Sequence, residues 1–198
     1  MTAVMPRLKA PQRKEQLLEV ATKIFAKWGY TATTTAAIAD AAGVTEPILY
    51  RHFASKQELF VAITRAMSDQ TLRHWRELIK DSDSATDKIR TIAREFPNHL
   101  KRLDDAYRVI HGALATSRDR KVLNVMKEHY SEIEKFFSKI VTDGQSAGEF
   151  RKDLNPKVPA WQLINTGIGY AMISLNLQQI ENFPLDEAIE FVVRGLKN

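Results

Sequence analysis

Apolar residues recur at three-and-four spacing along nearly the whole chain, and no segment sustains the every-second-residue alternation of a half-buried strand. That periodicity leaves an all-α fold. Leu17, Leu18, Ala21, Ile24, Phe25 and Trp28 set a first helix over about 11–28, closed by Gly29. A short second helix covers 34–42, with Thr34 or Thr35 as its N-cap and Gly43 as its left-handed stop. The third starts at Thr45, with Pro47 in its first turn where a missing N–H costs nothing, and ends near Phe53.

Further along, Ser55-Lys56-Gln57-Glu58 has the form of a capping box: the Ser55 hydroxyl takes the third helical N–H, and Glu58 reaches back to the Ser55 N–H. It opens a long helix running to about Lys80. Helices over 84–96 and 98–116 are expected next, with Pro97 breaking or kinking the chain between them. The stretch 119–143 carries one apolar stripe from Val122 to Val141. Asn155-Pro156 starts a helix to about 181, and Pro184 opens the last one.

Several function classes fall away on composition. The 198 residues contain no cysteine, which excludes disulfide scaffolds, zinc ribbons, thiol nucleophiles and iron–sulfur sites. From Val158 to Ile180 no residue is charged, a length that would span a bilayer. That stretch carries Gln162, Asn165, Thr166, Ser174, Asn176, Gln178 and Gln179, and inserting so many polar groups is costly. It reads instead as a buried helix at a subunit interface. The first fourteen residues have no apolar core of a signal peptide, so a soluble, cytoplasmic protein is expected.

The net charge is +5, and the first 28 residues hold an excess of four through Arg7, Lys9, Arg13, Lys14, Lys23 and Lys27. The basic end is the N-terminal end, where Arg7, Lys9, Arg13 and Lys14 form either a solvated tail or a minor-groove arm. Helix lengths change near residue 54. Three short helices precede it and long amphipathic ones follow, so we expect a domain over 1–54, with an arm over about 1–10, and a helical bundle over 55–198.

The second and third helices, joined by Ala42-Gly43-Val44, have the helix-turn-helix arrangement, with Ile38, Ala39, Val44, Leu49 and Phe53 as its small core. Here the spacing becomes specific. Ala21-x-x-x-Phe25-x-x-x-Gly29-Tyr30 is followed by Thr34/Thr35-x-x-Ile38-Ala39-x-x-Ala42-Gly43-Val44-Thr45, then by Leu49-Tyr50-x-His52-Phe53-x-Ser55-Lys56-x-x-Leu59. This segment, from Arg13 to Phe60, resembles the tetracycline-repressor (TetR/AcrR) family of bacterial transcriptional regulators. Beyond residue 60 the resemblance is one of architecture only.

The resemblance implies that Thr45, Glu46 and Pro47 face base edges, and that Tyr50, His52 and Lys56 contact backbone phosphates. Hydroxyl and imidazole donors suit that task, because phosphate contacts set register without reading sequence. Thr34 or Thr35 is placed to do the same at the start of the second helix. Glu46 either accepts from a cytosine N4 or complements the helix dipole. Arg51 either reaches the duplex or stays a solvated face residue. The resemblance further implies a ligand-responsive homodimer, most simply a repressor, that binds a palindrome-like double-stranded operator and is released by a small, mostly apolar effector.

No GxSxG, P-loop or GxGxxG motif is present, and no Glu has a His three residues on, so neither an enzyme nor a cofactor is expected. A bundle adaptor without DNA binding, or a bundle enzyme, are the competing readings. Bundle helices over 60–147 are expected to enclose a ligand site, with Trp75, Phe96, Tyr107, His111, Tyr130 and Phe137 either lining it or packing the core. His74, His99, His111 and His129 fall on different helices and read as surface or satisfied residues. For the dimer interface the expected residues are Trp161, Ile164, Gly167, Ile168, Ala171, Met172 and Leu175 on one helix and Ile189, Val192 and Val193 on the other.

Overall fold

The first helix, α1 (Ala10–Ala32), shows how the chain starts its turn into the rest of the molecule. Leu17, Ala21 and Phe25 repeat every four residues and are fully buried. Gly29 then takes φ 78°, a left-handed conformation that breaks the regular helix where the spacing predicts it, and the chain makes one further turn to Ala32. A computed structural model describes residues 9–177 and 183–197; among them there are nine helices and no strand. Arg7, and the expected end of the uncharged helix near 181, lie outside the described residues. Lys9 is the N-cap of α1, and Arg13 and Lys14 lie within the helix, so these three belong to a helix rather than to a tail.

Two short helices follow, α2 (Thr35–Ala41) and α3 (Glu46–His52). Thr34 is the N-cap of α2, its hydroxyl accepting from the Ala37 N–H at 3.1 Å. Gly43 at φ 65° closes the turn, with the Val44 N–H donating to the Ala39 carbonyl at 2.9 Å. Ile38, Ala39, Ala42, Leu49 and Phe53 are buried beneath the pair, while Val44 is only half-buried.

α4 (Lys56–Leu78) starts on Ser55, whose hydroxyl accepts from the Glu58 N–H at 3.2 Å. The return arm differs from expectation: Glu58 accepts from the Ala54 N–H at 2.8 Å rather than from Ser55. α4 joins two cores. Leu59, Phe60, Ile63 and Met67 pack with α1–α3 and with Ile110 and Val122, whereas Leu72 and Trp75 pack with the helices beyond. The first core therefore continues without interruption across residue 54.

α5 (Ala85–Arg102) continues through Pro97, so the chain is not broken there, and the break falls at Leu103, before α6 (Asp104–Thr116). An interior proline costs about 3 kcal/mol in a helix. Ile89, Ile92 and Leu100 are buried on either side of it, and each such side chain contributes about 1.5–3 kcal/mol, which outweighs the proline. α7 (Arg120–Ser146) is capped by Asp119, which accepts from the Lys121 and Val122 N–H groups. The other Asp119 oxygen accepts from Gln57 Nε2 at 2.9 Å, pinning the start of α4 to the start of α7.

At the far end of α7, Gly144 lies against the Phe150 ring, with the Ala85 Cβ 2.8 Å from where a Cβ would sit, so only glycine fits. Glu149 caps α5 by accepting from Ser84 Oγ and from the Ala85 and Thr86 N–H groups at 2.7–3.0 Å. Burial opposes its ionisation, but these donors outweigh it and hold the carboxyl down to about 2. α8 (Lys157–Leu177) and α9 (Leu185–Leu196) complete the bundle. Arg90 binds Glu190 through two bonds of 2.6 and 2.8 Å, tying α9 to α5. No helix among the described residues is long and apolar enough to cross a membrane.

Candidate functional site

The α2–α3 pair presents one continuous face. Thr34, Thr45, Pro47, Tyr50 and Arg51 are exposed on it, and Thr35, Glu46 and His52 are half-buried. Three of these side chains are linked: the Thr35 hydroxyl donates to Glu46 Oε1 at 2.7 Å and lies 3.0 Å from the Tyr50 hydroxyl. The carboxylate is thus held by a threonine from the neighbouring helix, a relation across eleven residues that sequence spacing does not announce. Glu46 also stands in the first turn of α3, where the helix dipole favours an anion. The two threonines divide the work, Thr34 capping α2 and Thr35 orienting Glu46.

Lys56 is placed differently from expectation. Its ammonium donates to the carbonyls of Tyr30 at 2.9 Å, Thr31 at 3.3 Å and Thr33 at 2.9 Å, and sits 4.7 Å from the Tyr30 ring centroid. All three donors are occupied, so the lysine closes the carbonyl-bearing end of α1 instead of standing free for phosphate. Burial lowers its pKa, and burial together with Asp119 pushes the Tyr30 phenol up to about 12.

Within the bundle lies a cavity of about 120 Å³. All six expected residues, Trp75, Phe96, Tyr107, His111, Tyr130 and Phe137, line it, although they come from four different helices. The walls extend beyond the expected helices, because α8 and α9 contribute Ile164, Gly167, Ile168, Ile189 and Val192. His129, read from sequence as a surface or satisfied residue, lines it too and is buried. His99 is buried behind the wall, 2.9 Å from the Thr71 hydroxyl, and its ring lies 5.9 Å from Trp75 and 6.2 Å from Tyr107. Of the four histidines only His74 stays partly exposed, beside Glu95 and Arg102. A lone histidine gives no periodic signal, so their convergence needed the tertiary fold.

Trp75 Nε1, His111 Nδ1, His129 Nδ1 and the Tyr130 hydroxyl are buried without a hydrogen-bond partner among the described residues, and each belongs to a lining residue. Leaving such an atom unpaired costs about 1–3 kcal/mol. Burial holds His99, His111 and His129 down to about 4, so the imidazoles are neutral near pH 7. Burial likewise raises Tyr107 and pushes Tyr130 up to about 12.

On α8 and α9 the outward face is rotated from the expected one. Ile164, Ala171, Leu175, Ile189 and Val193 are buried inside the protomer, and Gly167, Ile168 and Val192 are half-buried on the cavity wall. Trp161 and Met172 do face outward, joined by Val158, Ile173, Leu177 and Phe191, the last 81% exposed. The outward face of α8 mixes Gln162, Asn165, Thr166 and Asn176 with exposed apolar side chains, so its sequence offers no sharp boundary to say which apolar residues turn in.

The comparisons with known proteins agree with this geometry. The profile described as "Bacterial regulatory proteins, tetR family" matches residues 17–63, which contain α2, α3 and the start of α4. The HTH-type transcriptional activator FasR of Mycolicibacterium smegmatis is 33% identical over 104 residues, 52% of this chain and 48% of that protein, so the match spans about half of that relative. The HTH-type transcriptional repressor KstR2 of Rhodococcus jostii is 29% identical over 150 residues, 72% of this chain and 70% of its own length. The structure of the fatty acid degradation regulator FadR from Bacillus halodurans superposes with a TM-score of 0.80 over 95% of each chain at 14% identity, which shows a shared fold.

Proposed function

We propose that the chain, whose residues 17–63 match the tetR family of bacterial regulatory proteins, is a homodimeric transcriptional repressor whose hold on DNA is released by a small apolar effector. The observation that carries this reading is the position of α4. One end of α4 closes α1, which packs against α2, through Lys56, and the other puts Trp75 on the cavity wall. Residues 1–54 serve as the DNA-binding unit and 55–198 as the effector and dimerisation unit.

Thr45, Pro47, Tyr50, Arg51 and His52 present donors and apolar surface to the duplex. Thr35 holds Glu46 in place beside them. Two copies join through the apolar surface of Val158, Trp161, Met172, Ile173, Leu177 and Phe191, and a two-fold dimer reads half-sites about 34–36 Å apart. Release follows if the effector prefers the form with wrongly spaced recognition helices. Relatives named for fatty acid and ketosteroid regulation support a hydrocarbon-rich effector. Nothing in this role calls for catalysis.

The test is capture of sheared genomic DNA by the purified protein at near-physiological salt, followed by sequencing. Enrichment of a two-fold-symmetric motif is expected. No enrichment from folded dimer, before and after denaturation and refolding to strip bound effector, would overturn the DNA-binding role.

A further inference from the structure

The cavity mixes apolar walls with a few polar groups, and its described lining carries no charged residue: none is Lys, Arg, Asp or Glu. Most of its polar groups come from α6 and α7, Tyr107 and His111 from one helix and His129 and Tyr130 from the next, joined by Trp75 of α4 and by Thr166 and Tyr170 of α8. The ring centroids of Tyr107 and His111 lie 5.7 Å apart and those of His129 and Tyr130 lie 5.0 Å apart. The walls from α5, α8 and α9 add Ile89, Ile92, Phe96, Ile164, Ile168 and Ile189, with the Phe96 ring 6.0 Å from that of Tyr107.

Resting on the reading of this cavity as the effector site, we infer that the effector is an uncharged, compact, largely hydrocarbon molecule carrying a carbonyl or hydroxyl oxygen, and that the cavity rejects a carboxylate of the same skeleton. Two arguments lead there. The unpaired atoms are those of neutral donors and acceptors: the Trp75 N–H donates, the Tyr130 hydroxyl donates or accepts, and a neutral imidazole does one at each nitrogen. A ketone or alcohol oxygen placed among them makes hydrogen bonds that the cavity walls do not make with one another. A carboxylate, by contrast, would lose its hydration with no cation among the described walls to offset the loss. The cationic form of His111 or His129 is suppressed by the same burial that would penalise the anion. Size adds a limit, since about 120 Å³ suits a single-ring skeleton without rearrangement.

The test uses three probes of like size on the full-length protein at pH 7.5: ethylbenzene, acetophenone and phenylacetate, with affinities from titration calorimetry. Acetophenone is expected to bind about fivefold more tightly than ethylbenzene, the worth of one net hydrogen bond. Phenylacetate is expected to bind at least about thirtyfold more weakly than acetophenone. In Tyr130→Phe and, separately, His129→Phe, the preference for acetophenone over ethylbenzene should shrink, while retained ethylbenzene binding reports an intact cavity. Phenylacetate binding as tightly as acetophenone would overturn the inference and leave the effector site standing. Equal binding of acetophenone and ethylbenzene would remove the oxygen-bearing head from it. Binding of none of the three would overturn both the inference and the effector-site reading.

Discussion

Lys56 Nζ lies 2.9 Å from the Tyr30 carbonyl oxygen and 4.7 Å from the centroid of the Tyr30 ring, so the first residue of α4 closes the last turn of α1. The two residues are 26 positions apart in the chain. Through this contact the long helix that reaches the cavity also holds the end of α1, the helix that packs against α2.

Lys56→Met removes donors from three carbonyls at once. Hydrogen bonds from a charged group contribute about 1.5–3 kcal/mol, so the melting temperature should fall by several degrees at about 2–4 °C per kcal/mol. DNA affinity should fall with it. The slope of log affinity against log salt should change by well under ~0.9, the share of one phosphate. A full loss of that share would show that Lys56 neutralises a phosphate after all.

Tyr50 is 47% exposed and its hydroxyl meets only Thr35, at 3.0 Å, among the described residues. Tyr50→Phe should therefore keep its helical content and melt within about 2 °C of the parent. Affinity for an enriched operator should drop about tenfold or more, as expected when a hydrogen bond to a charged phosphate is lost. Lost stability with unchanged DNA binding would make Tyr50 a packing residue.

Phe191 and Val193 lie two residues apart on α9 and should behave in opposite ways. Phe191→Glu charges a side chain that is 81% exposed, so a folded monomer is expected in sedimentation. Val193→Glu buries a carboxylate in the protomer core and should instead lower helical content. A dimer that persists in the Phe191→Glu variant would move the interface away from this face.

Acid should weaken the fold in a defined window. Burial holds His99, His111 and His129 at about 4 in the native state, against an ordinary value of 6.5. Below pH 6.5 the unfolded chain takes up protons that the folded one refuses, so stability present above that value is lost as pH falls towards 4. The loss at pH 5.5 should be about 1 kcal/mol per histidine, measured by denaturant titration at several pH values. In His129→Phe one share of that loss should vanish; an unchanged pH dependence would show that His129 titrates freely.

Much of the fold was legible because its signals are local. Thr34, Gly43, Pro47 and Ser55 act within one turn of their own position, so helix starts and stops follow from neighbouring residues. The six aromatic and histidine positions expected in the bundle could be named because large side chains at helical spacing must face inward. Pro97 shows the limit of such reasoning: its local cost was read correctly, yet buried side chains on both sides of it decide the outcome.

What the sequence by itself determined is the all-α class, the helix-turn-helix and the apolar character of the bundle, all set by periodicity and by hydrogen bonds that span about four residues or fewer. Only the tertiary structure decided which side of α8 faces out, that His111 and His129 share a cavity, that Thr35 holds Glu46, and that Lys56 caps α1. The reason is physical. α8 carries apolar residues on its exposed face as well as its buried one, a single histidine or lysine has no period, and its partner is chosen by packing between helices far apart along the chain.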